Sequence, residues 1–219
     1  MLNTLQEGPG WAVINKPAGI ATEKHFTYDT LEGRALEAWK RPGAKKPPFV
    51  GIVHRLDRVT SGAVILARRK STLVFLNDAF ASGKTSKRYV AVTTKALPED
   101  SGRLHHYLSR NSTNKLAVTS TRPAAGMKEA ILEYRLTASR DGLFVYEVSL
   151  LTGRFHQIRA QLAAAGAPVF GDVAYGSDRI LGDHRIALHA RELTFPDHAT
   201  GEAITVQAPL PDYWPVKTT

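Results

Sequence analysis

A nine-residue polar segment between two short apolar runs is the feature that most constrains how this chain folds. The runs, residues 50–53 and 63–67, have the length and composition of buried strands. Between them stand a histidine, two arginines, an aspartate and two hydroxyl side chains: His54, Arg55, Asp57, Arg58, Thr60 and Ser61. Two buried strands therefore place a carboxylate at their junction, close to positive charge.

Asp57 is the candidate reactive group of this segment. A nearby arginine favours the ionised form of an aspartate, and an ionised carboxylate is available as a nucleophile or a base. The residues alone fit equally well a loop in which Asp57 caps turn amides and the arginines are solvated. Local chemistry thus leaves a reactive carboxylate and a structural loop as two open readings.

The charge balance points to a polyanionic partner. The 219 residues include 29 Lys and Arg against 20 Asp and Glu, which gives a formal net charge of +9. Such an excess supports phosphate contacts, although it also serves simple solubility. The cations cluster around predicted turns, at Lys45-Lys46, Arg68-Arg69-Lys70, and Lys84 with Lys87-Arg88. This placement favours nucleic acid over a membrane-surface helix.

Several classes of protein are excluded or disfavoured. The chain has no cysteine, which excludes disulfides and thiol catalysis. It has no apolar run of roughly 18 residues and no signal-peptide pattern, so we expect a cytoplasmic protein without membrane contact. The eight histidines lack the spacing of a zinc site, and no second acid sits in a motif comparable to that of Asp57, as a glycosidase would need.

The pattern of elements predicts the fold class. Hydrophobic periodicity predicts helices at 29–40, capped by Asp29, at 73–80, ending near Gly83, and at 155–165. Strands are predicted at 11–15, 50–53, 63–67, 89–93, 131–136, 143–150, 185–195 and 203–207. Because strands come in runs between few helices, we predict an α+β fold with a mixed, largely antiparallel central sheet and flanking helices. The length fits a single domain, 1–219, or one domain of two lobes around a central cleft.

Five motifs in sequence order resemble those of one enzyme family. His54-Arg55-Leu56-Asp57, followed by Thr60-Ser61-Gly62, resembles the signature loop of the RluA-type pseudouridine synthases. The others are Asn15-Lys16-Pro17-Ala18-Gly19, Lys87-Arg88-Tyr89-Val90-Ala91, residues 152–159, and a last group containing Gly171-Asp172, Tyr175-Gly176 and Leu188-His189-Ala190. The resemblance runs from about residue 11 to 214, nearly the whole chain.

The resemblance implies an isomerase that converts uridine in structured RNA to pseudouridine. Asp57 would be the catalytic nucleophile or base, Arg159 would orient it through an ion pair, and Tyr89 would stack on the target base. On residue chemistry alone, Arg159 could instead be a helix-surface arginine and Tyr89 a half-buried strand residue. Arg55 would enter the space that the flipped base leaves, or would only pair with phosphate.

The same resemblance implies an RNA-binding surface, with tRNA or rRNA as partner and tRNA or rRNA processing as the role. Its candidate residues are Lys16, His54, Arg55, Arg58, Thr60, Lys87, Arg88, Arg154 and Gln157. Neither a cofactor nor a metal is implied, and a monomer without a protein partner would suffice. About ten residues precede the first predicted strand, so we expect no N-terminal S4 RNA-binding domain. The alternative function is a non-catalytic RNA-binding protein or chaperone that uses the same fold.

Overall fold

The computed structural model describes residues 2–25 and 27–216, which divide into two compact units. Unit 1 holds the chain up to Lys87 together with Ala190–Pro211, and unit 2 holds Arg88–His189 with the residues from Asp212 onward. Eight strand pairs are antiparallel, and an isolated parallel bridge joins Ala21 to Thr30. The structure therefore confirms the predicted α+β fold with a mixed, largely antiparallel sheet.

The described residues form eleven strands and three α-helices. The strands are β1 (Thr4–Gly8), β2 (Trp11–Lys16), β3 (Gly51–Ile52), β4 (Ser61–Ala67), β5 (Ser86–Thr93), β6 (Ser101–Arg110), β7 (Ala117–Ser120), β8 (Lys128–Arg140), β9 (Leu143–Leu150), β10 (Leu188–Pro196) and β11 (Ala203–Gln207). The helices are α1 (Leu31–Ala38), α2 (Lys70–Ala81) and α3 (Gln157–Ala164). None of the helices in these ranges is long and apolar enough to cross a membrane.

Unit 1 is a small sheet around an aromatic core. Strand β2 pairs with β1 and β4, β3 also pairs with β4, and β11 pairs with β10. The rings of Trp11 and Phe195 meet edge to face, with their centroids 4.9 Å apart, and Leu76 of α2 belongs to the same buried cluster. The Trp11 indole N–H donates to Asp197 at 2.8 Å, which satisfies the buried nitrogen.

Gly62 fixes the start of β4, where the polar segment ends. Its φ is +118°, and a Cβ at this position would collide with the main-chain oxygen of Ala190 and lie 2.6 Å from the Ala190 nitrogen. Only glycine permits both this conformation and this approach. In the β2–β4 pairing Gly62 lies opposite Lys16, so the ends of two central strands of unit 1 position the polar segment.

Unit 2 is an antiparallel sheet with helix α3 packed against it. Its strands pair in the order β5, β9, β8, β6, β7. Ala160 of α3 packs in a buried cluster with Leu108 of β6, Ala117 of β7 and Ala130 of β8. The amide of Gln161 donates to the main-chain oxygen of Ala130 at 3.1 Å, so α3 is fastened to the sheet by polar as well as apolar contacts.

The predicted cap of the first helix is wrong. Thr30, in an extended conformation, is the N-cap, and its hydroxyl accepts from the Gly33 N–H at 3.1 Å. Asp29 instead accepts from Arg34 Nε at 2.8 Å, one position outside the cap. The predicted strand at 50–53 is reduced to the two residues of β3, whereas the range predicted for β11 is confirmed.

Candidate active site

Lys16 is a buried cation at the end of β2. Its side chain is 0% exposed, and its Nζ donates to the main-chain oxygens of Pro17 and Ile20 at 2.9 Å and of Arg58 at 3.5 Å. The ammonium thus ties the turn after β2 to the polar segment. Lys16 is buried among these oxygens, and its predicted contact with RNA stays a prediction.

Lys16 also responds to the charge of Asp57. Burial lowers the pKa of Lys16 to about 7, and the nearby negative charge of Asp57 opposes this shift by raising the pKa. The half-buried Asp57 carboxylate therefore lies within electrostatic reach of the lysine. Their attraction partly offsets the cost of burying the lysine.

Main-chain hydrogen bonds fix the chain on both sides of Asp57. The Thr22 hydroxyl accepts from the Leu56 N–H at 3.2 Å and donates to the Leu56 oxygen at 3.0 Å. On the other side, the Gly19 N–H donates to the Arg58 oxygen at 2.7 Å. The Thr60 N–H closes a turn by donating to the Asp57 oxygen at 3.1 Å. These hydrogen bonds consequently restrain the main chain that carries Asp57.

The two arginines of the segment differ in how they are held. Arg55 is exposed, and its Nη1 lies 2.6 Å from the exposed carboxylate of Glu23. Arg58 is exposed too, but its Nε donates to the Gly19 oxygen at 2.9 Å and its guanidinium lies 5.3 Å from the Tyr28 ring centroid. Arg55 can exchange its surface ion pair for a phosphate at little cost, since such pairs contribute little.

The His54 side chain packs inward and does not act as a cation. Its Nε2 accepts from the Ile65 N–H at 3.2 Å, and its ring stacks on Phe80 with centroids 4.9 Å apart. Burial, with a smaller contribution from the positive charge of Lys87, lowers the pKa of His54 to about 3. The imidazole is therefore neutral at physiological pH and fastens the polar segment to β4.

The side chains of Lys87 and Thr60 are also less accessible to solvent than expected for residues that contact RNA. The Lys87 ammonium lies 5.5 Å from the Phe80 ring centroid, and burial lowers the pKa of this lysine. Thr60 is 2% exposed, and its hydroxyl has no hydrogen-bond partner among the described residues. Contacts of these side chains with RNA stay predictions.

Tyr89 and Arg88 lie on β5 in unit 2. Tyr89 is 6% exposed and stands opposite Val148 of β9, while the exposed Arg88 stands opposite Ser149. This burial agrees with the interpretation of Tyr89 as a strand residue packed into the fold. Its stacking on the target base stays a prediction.

Arg159 belongs to a buried ion pair. Its Nε and Nη2 donate to the two carboxylate oxygens of Asp172 at 2.7 and 2.9 Å, and the side chains are 6% and 2% exposed. The guanidinium also lies 4.9 Å from the Tyr175 ring centroid. The reading of Arg159 as a helix-surface arginine is therefore wrong. The predicted ion pair of Arg159 with Asp57 stays a prediction.

Gln157 and Arg154 organise the start of α3. The Gln157 Oε1 accepts from the Thr152 hydroxyl and from the Arg154 N–H, both at 2.9 Å, and its Nε2 donates to the Ile131 oxygen at 3.0 Å. Arg154 is exposed, with its Nε donating to the Glu129 oxygen at 2.8 Å. Because protein groups occupy both ends of the Gln157 amide, an RNA contact by this residue would require their release.

Within unit 1 the structure brings together Lys16 and the polar segment. Sequence reasoning missed the roles of Thr22, Glu23 and Asp172. Asp172 belongs to one of the motifs quoted above, but the sequence did not indicate that Arg159 is its partner. Thr22 and Glu23 carried no signal, since their contacts span 34 and 32 residues. Among the described residues no group of His, Asp or Glu is arranged to hold a metal ion.

Comparison with known proteins identifies the family. A family described as RNA pseudouridylate synthase matches residues 10–164, a range that contains the polar segment, Tyr89 and Arg159. The chain belongs to this family of RNA pseudouridylate synthases.

Individual relatives agree with this assignment. Ribosomal large subunit pseudouridine synthase C of Rickettsia bellii is 32% identical over 92% of this chain and 66% of its own length. The protein of the same name from Rickettsia felis is 32% identical over 96% of this chain and 68% of its own. The chain thus spans about two thirds of the length of these relatives. The solved structure of human RNA pseudouridylate synthase domain containing 1 superposes with a TM-score of 0.78 at 25% identity, covering 96% of this chain and 84% of that one.

Proposed function

We propose that this protein is an RNA pseudouridine synthase that isomerises uridines in structured RNA, with Asp57 as its catalytic carboxylate. The observation that carries the proposal is the setting of Asp57. The residue is flanked by main-chain hydrogen bonds on both sides and lies within electrostatic reach of the buried Lys16. Membership of the family supplies the reaction, and the preorganised carboxylate supplies the group that starts it.

The reaction needs only rearrangement of the substrate's own atoms. The bond between ribose C1′ and uracil N1 breaks, the ring turns, and C1′ bonds to C5. The hydrogen on C5 leaves as a proton, and N1 gains a proton. Electrons and atoms balance without an external group, so the proposed work of the protein is to hold the Asp57 carboxylate at the bond that breaks.

Tyr89 and Arg159 complete the proposed catalytic set. A tyrosine ring can support the extruded uracil by stacking, an interaction of roughly 1–3 kcal/mol. Arg159 is proposed to orient the catalytic carboxylate. Its two hydrogen bonds to Asp172 support that role, because they fix the plane of the guanidinium before any substrate arrives.

The proposed substrate is structured RNA, with ribosomal RNA tested first. The relatives named above are ribosomal large subunit synthases, which motivates this order. Four arginines with exposed positions are available to phosphates: Arg55, Arg58, Arg88 and Arg154. Base extrusion costs a few kcal/mol, and exposed Arg55 is proposed to fill the vacated space in the RNA.

The test separates catalysis from binding. Unmodified ribosomal and transfer RNA are incubated with wild-type protein, with Asp57→Asn, and with Asp78→Asn, which changes an exposed aspartate of α2. Chromatography of the digested RNA measures pseudouridine, and filter binding measures affinity. We expect product from the wild type and Asp78→Asn only, with RNA affinity of Asp57→Asn within a few-fold of wild type. Tight binding by the wild type without product in either RNA would instead support the non-catalytic RNA-binding protein.

A further inference from the structure

A basic, aromatic cavity lies in unit 1 apart from the polar segment. Its volume is about 400 Å³, and it is formed by the end of α1, the loop that follows, and the end of β4. Two aromatic rings and three cations line it: Trp39, Phe49, Arg41, Lys46 and Arg68. This volume falls within the range of sites for small organic ligands.

Two of the three cavity cations, Arg41 and Lys46, have no acidic partner among the described residues. Both are exposed. Arg68 has one acidic partner, Glu7, whose Oε2 lies 3.0 Å from Nη1. The Arg68 Nε is buried and has no hydrogen-bond partner among the described residues. An anion in the cavity would therefore meet excess positive charge.

The aromatic groups give the cavity a surface for a planar ring. Phe49 lines the cavity and is 42% exposed, so its ring is accessible to a ligand. Trp39 is partly exposed, and the Arg68 guanidinium lies 4.5 Å from its ring centroid. A flat ring placed against Trp39 or Phe49 would extend this arrangement of planar groups.

The loop that closes the cavity is restrained before any ligand binds. Pro42, Pro47 and Pro48 limit its backbone, and the Ala44 N–H donates to the Arg41 oxygen at 3.1 Å in a tight turn. Ordering such a loop costs less than ordering a flexible one, which favours binding.

We propose that this cavity binds one nucleotide of the RNA substrate, with its phosphate at Arg41, Lys46 and Arg68 and its base against Trp39 and Phe49. The RNA ligand class rests on the proposed function, but the residues are separate from the candidate active site. A nucleotide carries a phosphate next to a flat ring, so it matches both the cations and the aromatic rings of the cavity.

Tryptophan fluorescence reads the cavity directly. Trp11 and Trp214 are 2% and 9% exposed, so quenching by a bound base reports chiefly on Trp39. We expect hexauridylate and hexaadenylate to quench the wild-type protein saturably and to leave Trp39→Phe unchanged. Polyphosphate, which has charge but no bases, should quench far less. Equal quenching by polyphosphate, or quenching by anionic vesicles or an acidic peptide but not by RNA, would overturn the proposal.

A matched pair of double variants tests the cations. Arg41→Ala/Lys46→Ala removes two cavity charges, and Lys95→Ala/Lys128→Ala removes two exposed charges of unit 2. We expect the first variant to bind RNA about tenfold more weakly, with a salt dependence reduced by about two phosphate contacts, and the second to bind nearly as wild type. Equal weakening by both variants would reduce the effect to net charge and overturn the proposal.

These readouts separate the cavity from the chemistry. Both measure binding, so they give an answer even if no pseudouridine forms. If the protein is active, Arg41→Ala/Lys46→Ala should raise KM for RNA and leave kcat nearly unchanged. Quenching without turnover would contradict only the proposed function. Turnover without quenching would contradict only nucleotide binding in the cavity.

Discussion

Asp172 holds Arg159 through two hydrogen bonds, from Nε to Oδ2 at 2.7 Å and from Nη2 to Oδ1 at 2.9 Å. Both side chains are almost fully buried, and the guanidinium also packs near the ring of Tyr175. A charge buried this deeply is tolerated only with a counterion in good geometry. The pair therefore connects the stability of unit 2 to the orientation of a proposed catalytic residue.

Asp172→Asn should destabilise the protein by about 3–5 kcal/mol, because it removes a buried negative charge and leaves the guanidinium without this partner. Urea unfolding measures the loss, and Asp178→Asn, an exposed aspartate nearby in sequence, is the matched control. If Asp172→Asn had the same urea midpoint of unfolding as the wild type, the ion pair would contribute no net stability.

Lys16 should make stability depend on pH in the alkaline range. Its pKa in the folded protein is about 7, below the ordinary value of 10.5. Between these values the unfolded chain binds more protons than the folded one, so the free energy of unfolding should rise with pH from about 7 to 10.5. The slope should reach at most about 1.4 kcal/mol per pH unit. Lys16→Met removes this dependence, and parallel wild-type and variant curves between pH 7 and 9.5 would contradict the expectation.

His54 should stay neutral well into the acid range. Burial and Lys87 lower its pKa to about 3, and its Nε2 is occupied by the Ile65 N–H. Its NMR ring signals, assigned by their loss in His54→Gln, should not shift between pH 8 and 5. Because the unfolded chain binds a proton below about pH 6.5, stability should fall as the pH drops from there toward 3. A midpoint near pH 6.5 would show that the imidazole is not buried as described.

Gly62→Ala should destabilise unit 1 severely. The added Cβ would meet the main-chain oxygen and nitrogen of Ala190 in a left-handed conformation, at φ +118°. Gly83→Ala is the matched control, since its φ is +71° and a Cβ there meets nothing within 4 Å. The midpoint temperature of thermal unfolding should fall clearly more for Gly62→Ala than for Gly83→Ala. The control should lose only about 1 kcal/mol of stability. Equal effects would assign the cost to backbone conformation alone.

Sequence patterns recovered the fold class because the buried strands carry strong apolar signals. Strand β4, buried along its whole length, was predicted at 63–67 and lies at Ser61–Ala67. Strands β1, β6 and β7 were missed, since most residues of β1 and half of those of β6 are exposed and their polar side chains resemble loop sequence.

The candidate site was predicted to the level of the motif and no further. Asp57 was singled out from its flanking strands, and family resemblance added Tyr89 and Arg159. The partners of these groups lie far along the chain, as Thr22 does from Leu56, and a single sequence carries no record of such pairs. The burial of Lys16 was likewise invisible, because lysine in a turn motif usually faces solvent.

Tritium release from RNA labelled at uridine C5 tests the central claim most directly. Bonding C5 to the ribose expels its hydrogen, so tritium enters water only if the proposed isomerisation occurs. Unmodified ribosomal RNA is the substrate, Asp57→Asn is the inactive control, and transfer RNA is run in parallel. We predict release by the wild-type protein and none above background by Asp57→Asn. Release by both proteins, or by neither while both RNAs are bound tightly, would contradict Asp57 as the catalytic carboxylate of a pseudouridine synthase.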